Sequence, residues 1–493
     1  MMYRRIATPV LLLLAALLLL SVVTPTHATP EDDVHTVDAP MDVPVPRETL
    51  APTTIPVPST TPTTDSAVLG TAATVSSSAS TQPTQTPSTL LPTTMPVPTK
   101  QVTICPAAPP TKSVAATTQT PKPLKSSNAL RGVWINYMEV PKATGTKSAY
   151  QKAADSMFAA LQKDGYNAVF VQVRPFADAI YPSKYFPWSK YLTGTQGKDP
   201  GFDPMKVLVD SAHAHGLKFH AWLNPFRVLS SSQDETTLAE NHPARVWLRD
   251  AATAGLVVKT AGGIYFNPAS PTVHRLVNDG VREILENYAV DGIHIDDYFY
   301  PAQNVNIDKT LFDAYQKDGG QLPLADWRRA KINAFVAGLY STVKNVKPGA
   351  VFSISPGGNI RHNREQLYAD AAVWAQNPGY VDLLIPQIYF GFENQTMPFA
   401  RVAEEWNNMV TAPGVQLAIG LAAYKSGRTD SGAGTGAAEW TQYNDILARQ
   451  AALAQQLRPG VGLVLYSYGY LHGDRHTDAD AAELKKLYQG KIW

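Results

Sequence analysis

"DGIHIDDYFYP", residues 291–301, carries an apolar strand directly into two adjacent carboxylates ringed by aromatic side chains. Gly292 to Ile295 has the short apolar run of a buried strand. Side chains alternate along a strand, so His294, Asp296 and Tyr298 share one face, with Ile293 and Ile295 on the other. The isoleucine face packs on helices. Asp296 then points to the opposite side, into the interior of the sheet that the strand joins.

Seven more strand-like runs surround this one. They are residues 131–137, 167–175 and 217–225 before it, and 351–358, 381–390, 415–424 and 461–470 after it. Amphipathic segments separate them, with recognisable ends. Asp203-Pro204 and Ser270-Pro271 each pair an N-cap with proline at the first helical position, and Gly165 and Gly216 stand where C-terminal caps belong. Strand–helix alternation implies parallel pairing, and eight such units predict a (β/α)8 TIM barrel over residues 129–493. A doubly wound open sheet would carry a glycine-rich turn after its first strand, and "INYMEVPKATG" (135–145) has none.

The rest of the 493 residues reads differently. Residues 1–28 hold Arg4 and Arg5, an apolar run from Val10 to Val23 and a small-residue end at "THA", the order of a secretory signal peptide. Residues 29–128 form a Pro/Thr/Ser-rich linker with no charged residue between Asp65 and Lys100, and "LAPTTIPVP" (50–58) returns as "LLPTTMPVP" (90–98). Such a stretch buries too little apolar surface to offset its ordering entropy, so it is expected to be disordered. Export to the cell envelope or beyond follows, with no membrane span after signal cleavage. The net charge of +1 and the lack of a basic tract give nucleic acid no footprint, and Cys105, the single cysteine, excludes a disulfide framework. No cofactor is called for, and a monomer is expected.

In a TIM barrel the active site lies at the C-terminal strand ends. Here those ends are polar and aromatic. Parity turns Gln172, Arg174, His220, Trp222, Asn224 and His294 inward beside Asp296, with Arg227, Tyr298, Gln387, Tyr389 and Tyr424 close by. Buried together without partners, such groups would be costly, and a hydroxyl-rich ligand would satisfy them. Aromatic faces among hydrogen-bonding groups suit a sugar ring. Glycoside cleavage needs two carboxyl groups. Asp296 is the expected nucleophile or stabilising carboxylate; a salt bridge with Arg174 on a nearby strand is the alternative use, compatible with the first because an adjacent Arg would keep the Asp ionised. Asp297, of opposite parity, orients the loop or binds substrate. For the proton donor the candidates are Asp178, then Glu393, then Glu139. A metal site of His220, His294 and Asp296 is a rival, but no H-E-x-x-H or similar motif accompanies it. His213 and His215, two apart on a helix, make a poor ligand pair.

"RGVWINY", "VQVRPFADAIYPSKYFPWSKYLTGTQGKDPGFDP", "GLKFHAWLNPFR", "GGIYFNPASPTV", "VDGIHIDDYFYP", "DWRRAKINAFV", "SISPGG" and "IPQIYF" together resemble the glycosyl-hydrolase-like 10 family of exported bacterial proteins. The resemblance runs in order through nearly all of residues 129–493. It implies a TIM-barrel glycosidase acting on a polysaccharide, peptidoglycan strands stripped of their stem peptides above all. It maps the catalytic acidic position onto Asp296 with Asp297 beside it, and brings Arg174, Asp178, His220, Trp222, Asn224 and Arg227 into the site. The chitinase pattern D-G-x-D-x-D-x-E is only partly similar. His294 replaces its first inner Asp, and Tyr298 stands at its proton-donating Glu. Another polysaccharide such as an α-glucan would use the same carboxylates, since sugar identity rests on loops, chiefly the segment 228–269.

Overall fold

The computed structural model describes residues 129–490. The signal-peptide and linker segments, 1–28 and 29–128, and the last three residues of the barrel region lie outside the described residues. Eight parallel strands close into one barrel in sequence order: β1 (Arg131–Ile135), β2 (Ala168–Arg174), β3 (Lys218–Leu223), β4 (Gly292–Ile295), β5 (Val351–Ile354), β6 (Leu383–Leu384), β7 (Gln416–Ala422) and β8 (Gly462–Tyr466). β8 pairs back onto β1 with Val133 opposite Leu465. This is the TIM barrel that the alternation predicts.

Each strand is shorter than its apolar run, because the ladder stops where the polar ends begin. β6 keeps only two paired residues, and Pro386, which has no N–H to donate, follows soon after. The helix ends follow the sequence signals. Asp203 accepts from the Lys206 N–H and Ser270 from the Val273 N–H, while Gly165 and Gly216 take φ of 86° and 70° past their helices. Residues 227–266 depart from the alternation. Arg227–Ser230, Val257–Thr260 and Gly263–Phe266 form a three-stranded antiparallel sheet inserted between β3 and the helix Pro271–Asn287.

The barrel has two apolar layers. Val133, Val169, Val171, Phe219, Ala221, Ile293, Ile295, Phe352 and Ile354 belong to the large outer cluster packed with the helices. Trp134, Ala168, Phe170, Trp222, Tyr389 and Val464 fill the interior. Strand alternation produces both layers from one sequence. Ile293 and Ile295 are fully buried, each contributing roughly 1.5–3 kcal/mol of transfer free energy. Gly292 is required at the start of β4, since a Cβ there would collide with the His220 ring and the Val351 carbonyl.

Candidate active site

His294 sets the floor of the mouth. The Trp134 indole N–H donates to His294 Nε2 at 3.0 Å, and the Ser355 hydroxyl approaches the same nitrogen at 3.1 Å. Nε2 is therefore an acceptor and the ring proton sits on Nδ1, donated to Ser353 Oγ at 2.9 Å. Burial, then the neighbouring His220, holds the His294 pKa well below its ordinary value, which agrees with a neutral ring. His220 stacks on Phe170 at 4.5 Å, and burial brings its pKa down to about 4. With both His294 nitrogens engaged, the metal reading loses a ligand. Among the described residues no group of three or more His, Cys, Asp or Glu side chains is gathered for a metal ion.

One residue beyond β4, Asp296 is 2% exposed. Its Oδ2 accepts from the Trp222 indole N–H at 2.9 Å and the Asn224 amide at 3.4 Å, while Oδ1 makes no hydrogen bond. Burial, followed by the charge of Asp297, pushes its pKa up to about 7 against the pull of Arg227, Trp222 and the Tyr298 backbone. Arginine charge pulls Asp296 towards ionisation, the direction expected from sequence, but burial and Asp297 outweigh it. In β2 a register shift between Gln172 and Arg174 sets Arg174 opposite Leu223. The guanidinium lies over the Phe186 ring at 4.6 Å, and neither terminal nitrogen makes a hydrogen bond. Its own pKa falls to about 10 through burial, opposed by Tyr181, Asp178 and Asp296, so it shares the electrostatic surroundings of both acids without pairing with either.

Asn224 does two jobs. Its Oδ1 accepts from the Phe226 and Arg227 N–H groups, turning the chain at the end of β3, while its amide reaches Asp296. Arg227 is thereby laid between the Phe176 and Tyr298 rings, at 4.3 and 4.6 Å. Asp297 is half-buried, its Oδ2 3.6 Å from where a Cβ on Gly357 would stand. Gln387 donates to the Ser355 carbonyl. Tyr389 meets Trp134 and Tyr424 edge-on at 6.4 and 5.8 Å, and Tyr466 closes the ring at 5.9 Å from Tyr389. Trp134 and Tyr466 belong to this aromatic floor beside the residues singled out from sequence. Parity in β1, where Trp134 and Asn136 share a face, is the signal that finds Trp134.

The donor candidates occupy three different environments. Asp178 is 1% exposed, burial raises its pKa, and Gln196 donates to its Oδ2 at 3.1 Å. Glu393 sits on an exposed loop whose backbone is held by Glu439. Glu139 is fully committed. Arg475, the Ser467 hydroxyl and the Asn136 and Gly469 N–H groups all donate to it, tying the loop after β1 to the one after β8. His213 pairs with Asp291 and His215 with Gln162, so the two histidines do face different ways.

A closed parallel barrel with a buried carboxyl, a second one beside it and an aromatic floor at the strand C-termini is a (β/α)8 barrel of enzyme type. The chain belongs to the glycosyl hydrolase-like 10 family, whose sequence profile matches residues 129–433. It is 37% identical over 327 residues to the glycosyl hydrolase YngK of Bacillus subtilis (strain 168), covering 61% of this chain and 62% of that protein. The chain thus spans less than two thirds of that relative's length. It is 32% identical over 339 residues to the glycosyl hydrolase DigH of Escherichia coli (strain K12), covering 62% of this chain and 75% of DigH. Among solved structures, the PgaB (BpsB) glycoside hydrolase domain from Bordetella bronchiseptica aligns over 73% of this chain and 99% of that domain, at 12% identity and a TM-score of 0.48.

Proposed function

We propose that this chain is an exported glycoside hydrolase that cleaves cell-wall glycan, with peptidoglycan strands lacking stem peptides as its substrate. The observation that carries the reading is the Asp296–Asp297 pair at the end of β4. One carboxyl is buried with its pKa pushed to about 7, and the other is half-buried beside it. Carboxyl pairs whose environments differ in this way divide into a proton-holding and an ionised member. Two N–H donors occupy Asp296 Oδ2, so a proton on this acid rests on Oδ1. In this reading Asp296 gives that proton to the leaving glycosidic oxygen as the bond to the anomeric carbon breaks. The Asp297 carboxylate faces the positive charge that develops, and water completes the hydrolysis. This differs from the roles expected from sequence, where Asp296 is the nucleophile or stabilising carboxylate and Asp178 the first candidate for the proton donor. The signal-like segment 1–28 and the linker 29–128 support delivery to the envelope, where such glycan lies.

The test incubates the protein and its Asp296→Asn variant with peptide-free glycan strands and with intact peptidoglycan, reading products by mass spectrometry. Muro-oligosaccharides released from the peptide-free strands by the parent alone are expected. Release from neither material, by either protein, would overturn the cell-wall reading. The pH profile assigns the roles. An Asp296 acid loses kcat as pH rises through about 7, whereas an Asp296 nucleophile loses it as pH falls through the same value.

A further inference from the structure

Glu139 reaches from the loop after β1 to the loop after β8, with its side chain 4% exposed. Its Oε1 accepts from the Ser467 hydroxyl at 2.6 Å, the Gly469 N–H at 2.7 Å and the Arg475 guanidinium at 2.6 Å. Its Oε2 accepts from the Asn136 N–H at 3.0 Å. A Cβ on Gly469 would stand 2.5 Å from Oε1, so the backbone of the second loop packs directly on the carboxylate. Ser467 is fully buried. A charged acceptor makes each such bond roughly twice as strong as a neutral one, and three of them meet on a single oxygen. This is a clamp between the first and last loops of the barrel.

Two tyrosines of the mouth hang on the clamp. Tyr466, the residue before Ser467, is partly exposed and lies 6.2 Å from Trp134 and 5.9 Å from Tyr389. Arg475 and Arg428 both lie over the Tyr470 ring, at 4.7 and 5.0 Å, and Arg428 also donates to the Tyr424 carbonyl at 3.2 Å. Tyr424 is partly exposed as well, 6.1 Å from Tyr466 at an interplanar angle of 86° and 6.1 Å from Tyr470. The carboxyl pair is close by. Burial, then Tyr424, then Asp297 raises the pKa of Tyr389, which meets both rings. Trp134, beside Tyr466, donates to His294 two residues before Asp296. We propose that Glu139 is a positioning residue, which fixes Tyr466 through Ser467, and Tyr424 through Arg475 and the Tyr470 stack, as the wall against which the sugar chain is held. The proposal rests on the glycan-cleaving reading for the identity of the ligand. It takes Glu139 out of the proton-donor candidates, because both its oxygens are turned to loop donors rather than to a glycosidic oxygen.

The test uses two variants of the full chain. Glu139→Gln puts an N–H among donors that need an acceptor, and Gly469→Ala leaves the acid in place but pushes a Cβ against it. The first readout needs no ligand. Ring signals of Tyr424 and Tyr466, followed by NMR of labelled tyrosine, are expected to shift or broaden in both variants. The second is turnover of peptide-free glycan strands. KM should rise about tenfold in both variants while kcat stays within about threefold and the pH limb near 7 keeps its place. Should Glu139→Gln fail to fold, Gly469→Ala decides alone. Unmoved tyrosine signals, or an unchanged KM in the folded variants, would overturn the proposal. So would a kcat that collapses in Glu139→Gln but survives in Gly469→Ala, since Glu139 would then be the acid itself. Shifted tyrosine signals with no hydrolysis by the parent protein would sink the enzyme reading and leave the positioning role standing.

Discussion

Two buried arginines behave in opposite ways. Arg328 and its partner Asp308 are fully buried, and every donor is used. Nε and one terminal nitrogen meet the two carboxylate oxygens at 2.9 and 2.6 Å, and the rest reach the Tyr368 hydroxyl and the Gln303 and Asn304 carbonyls. Tyr300 adds a hydrogen bond to Asp308. Burial pulls the Arg328 pKa down, but Asp308 carries it above its ordinary value. Arg174 is as deeply buried, yet its terminal nitrogens make no hydrogen bond, its pKa falls to about 10, and the acid it senses in Asp296 rises to about 7. Equal burial of the same residue types thus marks two different uses. A satisfied pair fixes a loop, whereas a buried arginine whose terminal nitrogens have no hydrogen bond is left with a lowered pKa.

The largest effect that would break this contrast is at the satisfied pair. Arg328→Ala strands Asp308 in the interior and is expected to cost about 3–5 kcal/mol of stability, read by denaturant unfolding. A loss below about 1 kcal/mol would show that the pair is replaceable and the contrast false. Because this cluster anchors the chain just past Asp297 and Tyr298, the variant should also lose activity well below its unfolding midpoint.

The next effect is at Asp296 and has the opposite sign. Its folded pKa of about 7 lies above the ordinary unfolded value of about 3.9, so the folded state holds a proton that the unfolded chain has released. Stability contributed by this group is therefore present at low pH and is lost as pH rises from about 4 through about 7. Asparagine cannot ionise. Asp296→Asn should be more stable than the parent at pH 8, on the order of 2 kcal/mol, with the gap closing towards pH 4. Thermal unfolding at the two pH values checks this, and a gap that widens on acidification would refute the raised pKa.

Sequence made the barrel legible because periodicity and caps are local. Ile293/Ile295 against His294/Asp296 is read from alternation alone, and Asp203-Pro204 and Ser270-Pro271 announce their helices. What stayed hidden depends on contacts far apart in the chain. The register shift between Gln172 and Arg174 sets Arg174 opposite Leu223 instead of in the alternation read from sequence, and nothing in "VQVRP" announces it. Glu139 looks like a free loop carboxylate until Arg475 and Ser467 are brought to it from over 300 residues away. The antiparallel insertion in 227–266 interrupts an alternating pattern with strands only four residues long, too short to stand out from loop.

The smallest effect sharpens the contrast most. Arg174→Met removes a buried cation with two unpartnered nitrogens, so it forfeits no strong hydrogen bond from them and relieves a desolvated charge. Its stability should stay within about 1 kcal/mol of the parent, unlike Arg328→Ala. The electrostatic role then shows in titration alone. Arg174 sees Asp296 through space, and withdrawing a positive charge favours the protonated acid, so the Asp296 pKa should climb further, by less than about one unit. Carbon-detected NMR of labelled aspartate would read that shift directly. In the pH profile of an enzyme whose acid is Asp296, the alkaline limb would move upward by the same amount. A large loss of stability would make Arg174 a second Arg328, and an unmoved Asp296 titration would leave it a packing residue over Phe186.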